Sequence, residues 1–491
     1  MPSEGINGLI LLLPHACLMA FALLVLVVEA VTPSRWRASA WTAFIAFVVS
    51  AALAIWLSRE GSLWNGIYIW DGFARMVTII ILTVGALVCL ASSCCEEWRP
   101  TADFGTYSVL LILSALGFTL ISSAGSLLML YIALELGTVS LFALTGHHRT
   151  DQHSGEAALK YLVIGAISSA VLLYGISLVY GAYGTTYYAQ IAERITQTSQ
   201  LSYLAIIGLP LIIGGLAFKI TAAPFHLWAP DVYEGAPTPV TAFLSTASKT
   251  AGFAALIRLL YVALPHMEKD WVMILIAVSA LSMTLGNLVA LSQTSLKRML
   301  AYSGVAQAGY LLIAVVAGMK DGLGSVLFFL WLYAFANTGA FFIAQAVQAS
   351  DGSDAIDTLK GLRFRAPKHA FAMLIFLLSL GGIPPLAGFW GKWFLFVAGA
   401  SAGYYVLVLI GAITSVIALY YYLMVAKRIY IDPPESTAPI SRRAPLVTAI
   451  IICASATIIM GLYPRPWLTW GQSATLTVPP SPPAVVKTIG K

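Results

Sequence analysis

The sequence predicts an all-α polytopic membrane protein of about fourteen transmembrane helices, with two inverted five-helix repeats and broken helices 7 and 12. Three observations carry that prediction. Of 491 residues, 59% are apolar and 10% charged, where soluble domains carry about 25% charged residues. The apolar residues fall into runs of the roughly 20 residues that a span needs. Two of these runs are interrupted by proline beside a lysine, in Lys219-Ile-Thr-Ala-Ala-Pro224 and in Gly381-Gly-Ile-Pro-Pro385 followed by Lys392. Proline removes a backbone donor and clashes with the preceding turn, so each helix should break. Irregular backbone at membrane depth is tolerated only against protein or a wet cavity. The two breaks lie five helices apart. Paired broken spans point to structural repeats, and an odd repeat length makes the second unit enter the membrane in the opposite sense.

The runs cover residues 6–31, 38–58, 74–93, 105–122, 124–146, 156–182, 201–222, 238–261, 271–291, 298–318, 322–348, 369–400, 403–426 and 445–463. The first lacks a basic leader and is too long for a signal core, so it is expected to be a retained span. Ser350–His369 and Lys427–Arg443 are polar, but only of loop size. The expected units are N-terminal helices 1–3 (residues 1–104), a first repeat of helices 4–8 (105–262), a second, inverted repeat of helices 9–13 (263–430), and helix 14 with its tail (431–491). Pro479, Pro480, Pro482 and Pro483 predict an extended tail.

Lys and Arg set the orientation. With the N-terminus outside, 14 of the 27 fall in inner loops and 9 in outer loops, helix ends and tail. The remaining 4 are intramembrane lysines. Both termini are therefore expected outside. A net charge of +6 spread in this way gives no nucleic-acid signal. The five cysteines have no CxxC or iron–sulfur spacing, and no glycine-rich dinucleotide fingerprint follows a strand pattern. No redox cofactor is expected in this chain.

The candidate site is a set of ionisable groups placed where lipid should be: Glu135, Lys160, Lys219, Lys249 and Lys392. Each costs at least about 2.5–3.5 kcal/mol at mid-bilayer, and the default reading of such residues is an ion or proton pathway. Glu135 lies near the middle of its span, with Tyr131 and Thr138 on the same helix face. Its structural alternative is a protonated carboxyl that glues helices together. Lys160 begins helix 6 in Glu156-Ala-Ala-Leu-Lys160. It can pair with Glu156 or snorkel to the surface as readily as carry protons. Lys219 stands before the first break, and His226 after it could be a relay or a satisfied structural histidine. Lys249 sits deep in helix 8 among Ser245, Thr246, Ser248 and Thr250. Lys297 and Arg298 are expected to be surface anchors, Glu29 interfacial, and Asp71 with Arg75 a local pair.

Several stretches then resemble one family: Ala157-Ala-Leu-Lys-Tyr161, Phe225-His-Leu-Trp-Ala-Pro-Asp-Val-Tyr-Glu-Gly-Ala-Pro-Thr-Pro-Val240, Ser248-Lys249-Thr250, Lys297-Arg-Met-Leu-Ala-Tyr-Ser303 and Gly382-Ile-Pro-Pro-Leu-Ala-Gly-Phe389 with Lys392. They are similar to the antiporter-like membrane subunits of respiratory complex I, over about residues 5–465. The resemblance implies fourteen helices with inverted repeats, and proton translocation driven by quinone reduction elsewhere in a NADH–quinone oxidoreductase. It matches Glu135 and Lys219 to a carboxylate–lysine pair, Lys160 to a helix-6 lysine, Lys249 to a central lysine, and Lys392 to the lysine of the second broken helix. Gln307 stands where related subunits often have histidine. The implied partners are other membrane subunits, namely a neighbouring antiporter-like subunit M and a small subunit K. Flavin, iron–sulfur centres, NADH and quinone would sit in other subunits, and the setting would be a bacterial inner membrane. A multi-subunit Na+/H+ antiporter subunit and a non-conducting structural subunit are the alternatives.

Overall fold

The computed structural model describes residues 6–31, 36–95, 104–197, 201–436, 438–440 and 443–478. The proline-rich tail from Pro479 lies outside the described residues. Twelve helices among those described are long and apolar enough to cross a membrane. They are α1 (Ile10–Val31), α2 (Trp36–Trp56), α3 (Gly72–Ser92), α4 (Phe104–Ser122), α5 (Leu127–Thr145), α6 (Gln152–Tyr183), α8 (Thr238–Ala263), α9 (Glu268–Ala290), α10 (Leu296–Val316), α11 (Met319–Asp351), α13 (Tyr405–Tyr430) and α14 (Ala444–Leu462). The two remaining spans are the broken ones. In one, α7 (Tyr203–Lys219) stops at its lysine, and a short helix, Ala229–Gly235, follows the break. In the other, α12 has two halves, Pro367–Gly381 and Ala387–Ser401.

Sequence reading did not foresee three smaller elements. A β-hairpin pairs β1 (Gly61–Leu63) with β2 (Tyr68–Trp70) in antiparallel register, Ser62 opposite Ile69. Short helices also form at Tyr188–Gln197 and Arg465–Gln472.

Burial sorts the helices. Every residue in the most apolar window of α8 and of α11 is inside the protein, 100% in both cases. Helices covered on every side belong to the core, and there the polar residues of α8 must find partners inside the protein. By contrast, α1, α6 and α13 turn most of their apolar surface outward, where lipid can cover it.

The pair α4–α5 and the pair α9–α10 are built alike. A Cβ on Gly117 of α4 would lie 2.3 Å from Gly137 N and 2.7 Å from Ala133 O. A Cβ on Gly286 of α9 would lie 2.6 Å from Ala306 N and 2.8 Å from Tyr302 O. Small residues let membrane helices approach this closely. Ser126 caps α5 through Met129 N at 3.2 Å, and Ser295 caps α10 through Arg298 N at 3.2 Å. The next residue after each cap bonds to a loop carbonyl, Leu127 N to Thr186 O and Leu296 N to Asp354 O, both at 2.9 Å. That loop follows a long helix ended by a left-handed glycine in both halves: Gly184 after α6 and Gly352 after α11. All the α4–α5 and α9–α10 relations share one residue offset. At that offset Glu135 corresponds to Gly304, and Thr138 to Gln307.

The two breaks correspond in the same way. Three residues before Pro224 stands Thr221 with φ 59, and three before Pro385 stands Gly382 with φ 87. A β-branched residue in the left-handed region is a true outlier. Its cost is of order 1–3 kcal/mol, sustained only where the surroundings enforce it. Each break contains one cis peptide bond to its proline.

Candidate functional site

Lys219 closes α7, where helical hydrogen bonding stops, and only 2% of it is exposed. Its ammonium donates to Thr138 Oγ1 on α5 and lies 4.8 Å from the centre of the Phe118 ring. Thr138 gives its own proton to Leu134 O at 2.6 Å, which leaves an oxygen lone pair for the lysine. A cavity of ≈ 10 Å³ adjoins them, lined by Thr138, Ser168, Ser169, Gly215 and Lys219 among others. That is about the space one water needs.

The Glu135–Lys219 pair that the resemblance implies is not made in this conformation. Glu135 is partly buried, and its Oε1 has no hydrogen-bond partner. The lysine has instead taken the hydroxyl at i+3 on the same helix face. One helical turn separates the two possible acceptors.

Lys249 is 1% exposed and follows a π-helical stretch, Leu244–Ser248, inside α8. It donates to Gly304 O on α10 and lies 5.2 Å from the Tyr333 ring centre. Lys392 begins the second turn of its half-helix and reaches back across the break. It donates to Gly381 O at 3.1 Å and to Ser415 Oγ at 2.9 Å, and lies 4.9 Å from the Tyr310 ring. The three buried lysines therefore share one arrangement: a neutral oxygen in hydrogen-bond contact and an aromatic face nearby. The ring quadrupole attracts a desolvated cation by about 2 kcal/mol. None of the three has a carboxylate ion-pair partner among the described residues.

Lys160 makes the Glu156 pair that its spacing offered and joins an ion cluster. Its side chain is 42% exposed and pairs with Glu156 at 2.7 Å and Asp231 at 2.9 Å. α6 has 32 residues, about 48 Å of helix, against a hydrocarbon core of about 30 Å, which is length enough for its first turns and this cluster to stand outside. Arg298 completes the cluster by bonding Asp231 at 2.7 Å and Glu234 at 2.8 Å. Burial raises the Asp231 carboxyl, but hydrogen bonds from Lys160 and Arg298 outweigh it and leave it below the usual range. His226, in the connection after the break, is 5% exposed, with its ring 6.2 Å from that of Tyr302 and Nδ1 unpartnered.

Two further readings are corrected. Lys297 is no surface anchor: it is 1% exposed and donates to Ala236 O at 3.0 Å. Asp71 does not pair with Arg75. It caps α3 through Ala74 N at 2.8 Å and pairs at 2.7 Å with Arg258 of α8, both side chains being fully buried. Thr477 N and its hydroxyl also donate to Asp71, at 3.0 and 3.1 Å. Local spacing pointed to Arg75. The structure chose a residue 187 positions away, which no periodicity could signal.

The chain matches the family model described as NADH:quinone oxidoreductase/Mrp antiporter, TM, over residues 124–418. NADH-quinone oxidoreductase subunit N of Moorella thermoacetica is 44% identical over 440 residues, 88% of this chain and 92% of that protein. NAD(P)H-quinone oxidoreductase subunit 2 of Acaryochloris marina is 40% identical over 493 residues, 97% and 94% of the two chains. Among solved structures, a chain of respiratory complex I from Thermus thermophilus superposes with a TM-score of 0.79 at 31% identity, covering 93% of this chain and 98% of that one. A chain of the membrane-bound sulfane sulfur reductase, an archaeal respiratory membrane complex, gives 0.82 at 26% identity, with 94% and 96% covered.

Proposed function

The chain belongs to the NADH:quinone oxidoreductase/Mrp antiporter membrane family, and from that premise we propose that it is the proton-translocating subunit N of a NADH–quinone oxidoreductase. It contributes no redox centre. Flavin and iron–sulfur centres, NADH and quinone belong to other subunits, and a neighbouring antiporter-like subunit M and a small subunit K flank it in the membrane arm. It lies in a bacterial inner membrane with both termini on the outer side. Residues 105–262 and 263–430 act as two inverted repeats, and proton transfer runs along Glu135, Lys219, Lys249 and Lys392. Lys160 belongs to the ion cluster at the inner mouth, and His226 is a relay candidate beside the first break.

The observation that carries this reading is the set of three buried ammonium groups, each held by a neutral oxygen. Lys219 has two acceptors one turn apart, Thr138 and Glu135. On Glu135 its charge is supported by a carboxylate; on Thr138 that support is lost. Exchange between them loads and releases a proton, which passes through Lys249 to Lys392. Moving one charge against 100 mV costs about 2.3 kcal/mol, the scale of one such pair interaction.

The test is Glu135→Ala in the assembled complex. Proton uptake driven by NADH should be lost while the complex still assembles. Normal uptake would remove Glu135 from the gate. Uptake that requires sodium and ignores quinone-site inhibitors would instead assign the chain to a Na+/H+ antiporter. Unaltered transport in both Lys219→Ala and Lys249→Ala would leave a structural subunit.

A further inference from the structure

Lys297 is a buried ammonium that the reading above leaves without a task. It stands at the start of α10, on the floor of a cavity of ≈ 800 Å³. The lining comes from one face of the protein: the ends of α3, α5 and α11 and the beginnings of α6, α8, α10 and α14. An ammonium has three donors, and among the described residues the protein engages one, through Ala236 O at 3.0 Å. Ala236 terminates the short helix Ala229–Gly235, whose Asp231 and Glu234 are held by Lys160 and Arg298. The acceptor of Lys297 is therefore attached to the element that follows the α7 break, and it moves whenever that element moves.

Beyond Ala236, α8 carries Thr238, Thr241, Ser245 and Ser248, each 5% exposed or less. Their spacing keeps them on one helix face, and that face ends beside Lys249. Asn337 of α11 donates to Ser245 Oγ at 2.8 Å, while its own Oδ1, in a side chain with no exposed surface, has no partner. The Tyr161 hydroxyl, also fully buried, is equally unpartnered. Buried polar atoms are almost always satisfied, by water where protein does not serve. The π-helical stretch Leu244–Ser248 lies on the same path, and such bulges concentrate at functional sites. Backbone acceptors explain part of this: Ser245 donates back to Ala242 O and Thr241 donates to Tyr233 O, both at 3.1 Å. Those bonds use the hydroxyl protons and leave oxygen lone pairs facing the path.

We propose that Lys297 is the loading group for the proton that Lys249 carries. A proton leaves Lys297 Nζ for water on the hydroxyl face of α8, and the chain of hydrogen bonds delivers one to Lys249 Nζ. The neutral amine of Lys297 then takes a replacement from cavity water, which Asp151, Glu234 and Asp354 keep supplied. This assignment rests on the proton-translocating reading and adds its inner half.

The test uses the complete complex in inverted membrane vesicles, which present the inner face to the medium. Cys94 and Cys95 also line the cavity, so Lys297→Cys is made together with Cys94→Ala and Cys95→Ala, and that double alanine background alone is the control. Lys297→Cys should remove the same share of NADH-driven proton uptake that Lys249→Met removes. Aminoethyl methanethiosulfonate rebuilds a titratable amine on the new thiol and should restore it. The trimethylammonium reagent supplies charge without a transferable proton and should not. Restoration by both reagents, or undiminished uptake in Lys297→Cys, overturns the proposal. If Lys249→Met also pumps at the wild-type level, the underlying reading fails as well. If only Lys297→Cys does, the loading role alone fails. Should Lys297→Cys prevent assembly, Ser245→Ala combined with Asn337→Leu interrupts the same face. Lost uptake in that variant supports the path, and full uptake overturns it.

Discussion

The two halves of the molecule share a frame and differ in what it holds. In the first, α5 offers Glu135 and Thr138 to Lys219, which ends α7 just before the break. In the second, the equivalent positions on α10 are Gly304 and Gln307. Five residues before Pro385, where the first half has Lys219 before Pro224, stands Leu380. The contact between the two helices survives the exchange: Gln307 Nε2 donates to Leu380 O at 3.2 Å. The charges do not survive it. The carboxylate is replaced by a glycine whose carbonyl receives Lys249, and a Cβ there would lie 3.1 Å from both Lys249 Nζ and Tyr333 Oη. The lysine of the second half comes from beyond the break, as Lys392. One half thus offers its lysine a titratable acid beside a hydroxyl, and the other offers neutral acceptors only. The same backbone can serve a switch or a passage, according to which polar atoms its helix faces carry.

The largest expected effect concerns the lysines. Lys219→Met and Lys392→Met should each cut proton uptake by this subunit about 100-fold or more, the range of a lost proton-transfer group. Normal uptake in Lys392→Met, measured in vesicles, would leave conduction to the first half alone. Next is the Asp71–Arg258 clamp, which ties the N-terminal helices to the first half. Arg258→Met leaves Asp71 buried without its partner and should destabilise the subunit by about 3–5 kcal/mol. The melting temperature of the complex, or release of subunits in detergent, measures it. A smaller effect is expected at the shared helix contact. Gln307→Leu deprives Leu380 O of its donor and should cost about 1–3 kcal/mol, with assembled complex per membrane protein as the readout. Equal loss of proton uptake in Gln307→Leu and Glu135→Ala would break the distinction between passage and gate.

The smallest effect lies at the inner mouth. Lys160→Ala removes a half-exposed pair and should cost no more than about 1 kcal/mol. Its pH dependence has a definite sign. The Asp231 carboxyl is held below its ordinary value in the folded protein, so its contribution is complete above the ordinary carboxylate range, near 3.9. It is lost as pH falls through the depressed value. At neutral pH, thermal stability of wild type and Lys160→Ala should therefore differ by a constant, small amount.

Much of this was legible beforehand. Each span is a property of its own run of residues, so hydropathy located all fourteen, and proline chemistry located both breaks. The burial of Lys219, Lys249 and Lys392 was expected from the same counting. Lys160 makes the Glu156 pair that its i,i+4 spacing offered and adds Asp231 from after the break. Lys297 was misplaced, because the elements after the α7 break fold over it and bury it. Counting along one helix does not show that.

The sequence by itself determined which segments cross the membrane, where two of them break and that Lys219, Lys249 and Lys392 must be buried, because the cost of desolvating a residue is fixed by the residue and its immediate run. Only the tertiary structure decided the acceptors: Thr138 rather than Glu135 for Lys219, Gly304 for Lys249, Ser415 and Gly381 for Lys392, and Arg258 rather than Arg75 for Asp71. A hydrogen bond depends on a few tenths of an ångström between atoms on different helices. That distance is set by how closely the small residues of neighbouring helices let their backbones approach.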